Sequence, residues 1–112
     1  MNNLNSVIVE GVLVDKPAFQ DTNGKPFCSF SIASNQFYRV KSKIEKEVSH
    51  FDVEVYGKLA ESCQKLGKKG RGVRVVGRLM QKKWTDAKGK EQSKIIIVAE
   101  HIEFRPDLED GK

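Results

Sequence analysis

Cysteine is scarce in this chain of 112 residues, which holds only Cys28 and Cys63. Two thiols are too few for a disulfide framework. In an untargeted protein they are expected to be reduced and buried. Long apolar runs are missing as well. No stretch approaches the roughly eighteen unbroken apolar residues of a spanning helix, so no membrane partner is expected. The opening residues, Met1-Asn2-Asn3-Leu4-Asn5, have neither a basic flank nor a long apolar run and do not read as a signal peptide. Cys28, His50, Cys63 and His101 lack a close-spaced ligand pair, which argues against zinc and leaves no metal site assigned. Gly67, Gly70 and Gly72 lack the context of a phosphate-cradling loop. No Ser-His-Asp, Cys-His or His-Glu arrangement occurs at local spacing. These absences leave no catalytic residue and no cofactor to assign.

The remaining composition is that of a globular domain: 38% hydrophobic, 31% charged and 8% aromatic residues. A chain of this length buries about two-thirds of its unfolded surface, enough for one core. The net charge is +5, which points towards a polyanionic partner. Its distribution is more informative. Between Lys65 and Lys90 the chain carries Lys65, Lys68, Lys69, Arg71, Arg74, Arg78, Lys82, Lys83, Lys88 and Lys90 against one acid, Asp86. A second basic run comprises Arg39, Lys41, Lys43 and Lys46, whereas the C-terminus turns acidic. Two basic segments of this kind can line one electrostatic groove. They can also be ordinary solvated surface.

No repeat, linker or low-complexity tract interrupts the chain. Residues 6–14 are β-rich and end before Pro17, which lacks a ladder donor. Residues 21–26 form a turn cluster. Residues 27–38 alternate, with Cys28, Phe30 and Ile32 on one parity. The polar run 39–47 reads as a long hairpin tip, and 48–56 as its returning strand. Residues 58–66 place Leu59, Cys63 and Leu66 on one helical face, with Gly67 and Gly70 as stop signals. Residues 73–84 and 93–104 read as two more strands around a polar tip at 85–90. The run Ile95-Ile96-Ile97-Val98 is expected to be buried on both faces, by a barrel or an oligomer interface. The fold class is therefore all-β: a five-stranded Greek-key barrel, the OB-fold, with one short helix between the third and fourth strands and long hairpins. The domain is expected to span residues 1–106, followed by a short acidic end at 107–112.

Parity then locates a candidate site. Phe51, Val53 and Val55 take the core side of the third strand, leaving His50, Asp52, Glu54 and Tyr56 outside. In the fourth strand Val73, Val75, Gly77 and Leu79 take the core side. Arg74, Val76, Arg78, Met80, Lys82 and Trp84 then share the outer face, so the one tryptophan stands among cations. A β-bulge would shift this phase. Rings among cations on a strand face suit single-stranded nucleic acid: bases stack on the rings and cations track the phosphates. A tryptophan near a hairpin also serves plain packing, and a strand tyrosine commonly packs with its hydroxyl in water. Asp52 and Glu54 form a same-face carboxylate pair, a pattern that can hold a metal ion. They are expected instead to pair with lysines of neighbouring strands.

The chain resembles bacterial single-stranded DNA-binding protein. The matching pieces are Asn5-Ser6-Val7-Ile8-Val9, Phe30-Ser31-Ile32-Ala33 and Val55-Tyr56-Gly57-Lys58-Leu59-Ala60-Glu61. Gly77-Arg78-Leu79 and Lys82-Lys83-Trp84-Thr85-Asp86 complete the set, and the similarity spans about residues 4 to 105. The resemblance implies an OB-fold without catalytic activity. It implies a protein that coats single-stranded DNA without strong sequence preference in replication, recombination and repair. It further implies a homotetramer, with a dimer as the alternative, in a cytoplasmic, nucleoid-associated setting. By position, the family's stacking rings fall on Tyr38, His50, Tyr56 and Trp84. His50 replaces a large aromatic, which weakens stacking there. The family's phosphate-contacting lysines correspond to Lys58 and Lys69. The basic runs and the outer face add Arg39, Lys41, Lys43, Arg74, Arg78, Lys82 and Lys83 as phosphate contacts.

Two departures stand out. Asp52 and Glu54 bring negative charge to the expected binding face. The chain also stops at Asp107-Leu108-Glu109-Asp110-Gly111-Lys112, where family members continue into a flexible linker and an acidic tip ending in proline and phenylalanine. This end reads as cut short or as that of a tail-less member, and it puts tail-mediated recruitment of replication and repair proteins in doubt. The second resemblance is to the primosomal replication protein, a dimeric OB-fold adaptor that works through protein contacts. A pure interaction module is the third reading. Trp84 and the Gly-Lys-Leu-Ala-Glu segment favour the first.

Overall fold

The first hairpin turns on Asn23 and Gly24, both with positive φ (54° and 72°). That backbone matches the twist of the flanking strands, and an Asn-Gly pair adopts it at little cost. In the computed structural model, which describes residues 1–106, the turn joins β2 (Ala18–Thr22) to β3 (Lys25–Val40). The remaining elements are β1 (Val7–Leu13), β4 (Lys43–Tyr56), α1 (Lys58–Leu66), β5 (Gly72–Thr85) and β6 (Glu91–Phe104).

The sheet order is β1-β5-β6-β4-β3-β2, and a further pairing of β1 with β3 closes five of these strands into a barrel. β4 and β6 run parallel, and the other neighbours are antiparallel. This is the five-stranded barrel expected, with its helix between β4 and β5. β2 is an addition: Ala18–Thr22 pairs with β3 outside the closed ring. The expected long hairpin tip at 39–47 is corrected. Its residues continue the ladder up to Val40↔Lys43, leaving only Lys41 and Ser42 to turn. Polar side chains had suggested a loop, but a two-stranded arm in water has no core face and tolerates them.

Alternation sends Leu13, Cys28, Phe30, Ile32, Val53, Val55, Val73, Val75, Ile97 and Ile102 inward. α1 adds Ala60 and Cys63 to the same core. Cys28 and Cys63 are free, buried thiols. Burial pushes the Cys63 thiol up to about 12. The α1 C-terminus is closed by the Gly67 N–H, which donates to the Cys63 carbonyl at 2.8 Å.

Gly77 shows how the barrel bends. A Cβ there would lie 2.1 Å from the Val98 carbonyl oxygen. The ladder slips at this point, with Val76 opposite His101 and Gly77 opposite Ala99, so Glu100 is the extra residue of a bulge on β6. The bulge falls on β6 and leaves the parity of β5 intact.

Two core assignments are corrected. Phe51 and Leu79 have core parity but are exposed, although their ladder partners Ile32 and Ile97 are buried in the core. Within the Ile95–Val98 run, Ile96, Ile97 and Val98 are buried while Ile95 is exposed. At the start of the chain, the Asn5 side chain donates to the Leu79 carbonyl at 2.8 Å and accepts from the Leu79 N–H at 2.9 Å. An amide side chain thereby extends the β1–β5 ladder beyond its last backbone pair. The acidic end at 107–112 lies outside the described residues, so the expected boundary at residue 106 carries no structural statement.

Candidate nucleic-acid interface

The outer surface of β4 carries the first part of the site. Paired residues of an antiparallel ladder share a face. Thus Tyr56 stands with Phe27, Glu54 with Ser29, Asp52 with Ser31 and His50 with Ala33. The Tyr56 ring packs on Phe27 with centroids 5.0 Å apart and planes tilted by 51°. Its hydroxyl donates to the Glu54 carboxylate at 2.9 Å. Burial and then this bond to Glu54 raise the Tyr56 phenol above its ordinary value. The ring is held on one side and tied at its tip, and 54% of the residue remains exposed.

β5 and β6 supply the second part. Arg78 pairs with Val98, Met80 with Ile96, Lys82 with Lys94 and Trp84 with Gln92. The two surfaces are joined by ion pairs. The Lys82 ammonium donates to Glu54, and the Lys94 ammonium to Asp52 at 3.0 Å. Asp52 also accepts from the Ser31 hydroxyl at 2.6 Å, and this bond and Lys94 hold its carboxyl below the usual range. A shallow concavity between them is lined by Ser29, Ser31, Asp52, Glu54, Lys82 and Lys94. Asp52 is therefore paired with a lysine of the neighbouring strand β6, as anticipated, whereas the lysine of Glu54 comes from β5, one strand further across the sheet. Glu54 differs from expectation in a second respect: it is only 6% exposed, because Lys82 and Tyr56 close over it.

Trp84 lies further along the same face and is 44% exposed. The turn beyond it is organised by Asp86. One carboxylate oxygen accepts the N–H groups of Lys88 and Lys90 at 2.9 Å each, and the other accepts the Gln92 amide at 3.1 Å. The backbone bond from Lys90 is the largest cause of the lowered Asp86 pKa. Asp86 thus fixes the turn and also the Gln92 side chain opposite Trp84.

Tyr56, Lys82 and Trp84 are thereby brought onto one outer surface, with His50 exposed on its β4 flank. Other expected contacts are placed elsewhere. Tyr38 pairs with Glu45, on the reverse side of the β3–β4 ribbon from His50 and Tyr56. Arg74 binds Glu10, its Nε donating at 2.8 Å, and also lies 3.7 Å from Glu103. Glu10 accepts from Arg105 as well, and the two guanidinium groups hold its carboxyl below the usual range. Arg78 sits 3.9 Å from Glu100. Lys83 falls opposite Ser93, on the other side of β5 from Trp84. Arg39, Lys41, Lys43, Lys58, Lys69 and Lys83 are exposed and make no ion pair among the described residues. Lys58 opens α1 two residues after Tyr56, and Lys69 lies in the turn between α1 and β5. Sequence reasoning overlooked Lys94, which shares the site face and neutralises Asp52. The alternation of the last strand would have placed it there, had the β6 bulge been located.

The sequence profile of the Single-strand binding protein family matches residues 4–105. The chain belongs to that family. Among its relatives is single-stranded DNA-binding protein 2 of Chlorobaculum tepidum, 36% identical over 107 residues, which cover 93% of this chain and 72% of the relative. The single-stranded DNA-binding protein of Aquifex aeolicus is 40% identical over 101 residues, covering 88% of this chain and 68% of the relative. A solved structure described as a Plasmodium falciparum SSB complex with ssDNA superposes with a TM-score of 0.86. It covers 95% of this chain and 98% of its own, at 23% identity, and establishes the OB-fold of the family member described here.

Proposed function

We propose that this protein binds and protects single-stranded DNA, without strong sequence preference, in replication, recombination and repair. The observation that carries the reading is the shared outer face on which Tyr56 and Trp84 stay exposed while lysines neutralise Glu54 and Asp52. Exposed rings offer stacking to any base, since every base has a π-face. Neutralised carboxylates remove the repulsion that would otherwise meet the phosphates. His50 adds a smaller ring on the flank. Lys41, Lys43, Lys58, Lys69 and Lys83, with Arg39, supply cations for the strand as it passes from one hairpin to the other. Arg74 and Arg78 are committed to acids and contribute to the general potential.

The protein acts by binding alone. Asp52 and Glu54, the carboxylates best placed to hold a metal, are each occupied by a lysine. The exposed apolar side chains Ile8, Phe51, Leu79 and Ile95 supply surface for self-association, which supports a homotetramer or a dimer. Linking several such faces lengthens the bound path and raises avidity through effective concentration. No helix among the described residues is long and apolar enough to cross a membrane. A cytoplasmic, nucleoid-associated setting follows from the DNA-binding role.

The experiment is anisotropy with labelled oligo-dT, and with a matched duplex as control. Preferential binding of the single strand, weakened by salt, is the expected result. Absence of binding to either would turn the reading towards an adaptor that works through protein contacts.

A further inference from the structure

We infer that His50 is a proton-gated phosphate contact, so that this protein holds single-stranded DNA more tightly as pH falls below neutrality; the inference rests on the single-strand-binding function just proposed. The β3–β4 ladder from Phe27↔Tyr56 to Val40↔Lys43 runs without a register shift, so side chains alternate strictly between its two faces. His50 therefore shares the face of Asp52, Glu54 and Tyr56, and it is exposed there. Its partner across the ladder is Ala33, which is too small to cover the ring. On the other side β4 pairs with β6 at Val53↔Ile97 and Glu54↔Val98. Towards His50 that pairing ends, and the hollow between the two strands is lined by His50, Asp52 and Lys94.

The charges around this hollow are already balanced. Asp52 is the acid beside His50 on β4, and Lys94 on β6 donates to it at 3.0 Å. On β3 the same face presents Ser31, Ala33 and Asn35, none of them charged. Outward along β4 come Val48 and then Lys46, while Glu45 and Glu47 pair with Tyr38 and Gln36 on the reverse face. His50 makes no ion pair among the described residues. A proton on its imidazole therefore adds a positive charge that no neighbour cancels. Imidazole is the side chain whose charge changes between about pH 8 and 5. The neutral ring offers a face to a base. The protonated ring also offers a charged N–H to a phosphate, and bonds of that kind are among the stronger ones.

The chain has one other histidine, His101. It pairs with Val76 and lies 4.0 Å from Glu103, past the β6 bulge from the site. It serves as the internal control.

The test uses the full chain and oligo-dT anisotropy at pH 7.5 and 5.5, over a series of salt concentrations. One phosphate contact adds about 0.7 to the log–log salt slope, which at about 0.1 M salt is about fivefold in affinity. The expected result is about fivefold tighter binding at the lower pH, with a steeper salt slope. His50→Phe should bind at pH 7.5, since a ring is kept, and should lose the response to pH. His50→Gln should lose the response as well. His101→Gln should retain it. The position of residue 50 is exposed, so melting temperatures of its variants should match that of the unmodified protein. Equal affinity of the unmodified protein at both pH values would overturn the inference. So would a response that survives in both His50 variants or disappears in His101→Gln. Failure of the unmodified protein to bind oligo-dT at pH 7.5 would show first, before any pH is compared. It would remove the function itself and the inference with it.

Discussion

The Lys82 ammonium on β5 donates to the Glu54 carboxylate on β4, and through this pair the two hairpin surfaces become one. Glu54 is buried, whereas the Lys82 side chain is 44% exposed. Lys82 thus neutralises the site before it meets any phosphate. Lys82→Ala should lower stability by about 1–2 kcal/mol, intermediate between exposed and buried pairs because one partner keeps its water. It should also weaken DNA binding by restoring a negative charge to the face. Adding Glu54→Gln should recover part of both losses. Urea unfolding and oligo-dT binding of the two single variants and the double variant measure the coupling. Strict additivity would show that the pair does not act as a unit.

Gly77 is a position where any side chain meets backbone. The clash is with the Val98 carbonyl, inside the bend created by the β6 bulge. Gly77→Ala should cost about 1–3 kcal/mol, as overpacked interiors do. A midpoint in urea equal to that of the unmodified protein would show that the barrel closes more loosely there.

Acid should destabilise the protein through Glu10, Asp52 and Asp86, whose carboxyls are held low in the folded state, Glu10 and Asp52 by hydrogen bonds and cations and Asp86 by backbone N–H groups and the Gln92 amide. The unfolded chain binds protons at these sites first, so folding is favoured above the ordinary carboxylate range near pH 4 and loses support as pH falls through it. Thermal melting between pH 7 and 3 should show this decline. Glu10→Gln should make the acid limb shallower, and an unchanged limb would remove Glu10 from the account.

Much of this architecture was legible in the residues. Helix spacing in Lys58–Leu66 gave α1 with its observed bounds, and strand alternation put Cys28, Phe30, Ile32, Val53 and Val55 inside. Alternation alone was not enough at Phe51 and Leu79: both keep core parity and pair with buried Ile32 and Ile97, yet both are exposed. Polarity misled at 39–47, because a two-stranded arm in water carries the same residues as a loop. In the site, the outer placement of Tyr56 and Trp84 followed from parity. The engagement of Arg74 with Glu10 did not, since it depends on which strands neighbour β5. The side of the arm on which Tyr38 falls required the register across the Lys41–Ser42 turn.

Stacking and charge should separate in mutants. Trp84→Ala should weaken oligo-dT binding by about 1–3 kcal/mol while leaving the slope of log affinity against log salt unchanged. Lys83→Ala should flatten that slope by about 0.7 for one lost phosphate contact and leave stability unaltered. Titrations at several salt concentrations check both. A change in slope for Trp84→Ala would contradict this division of labour.

The most direct measurement is the fluorescence of Trp84, the one tryptophan of the chain, during titration with unstructured oligo-dT at two salt concentrations, with a matched duplex as control. Stacking of bases on the exposed ring predicts strong quenching by the single strand alone, with a midpoint that moves to higher DNA concentration as salt is raised. Binding without quenching, or equal quenching by duplex, would contradict the claim that this face is a stacking surface for single-stranded DNA.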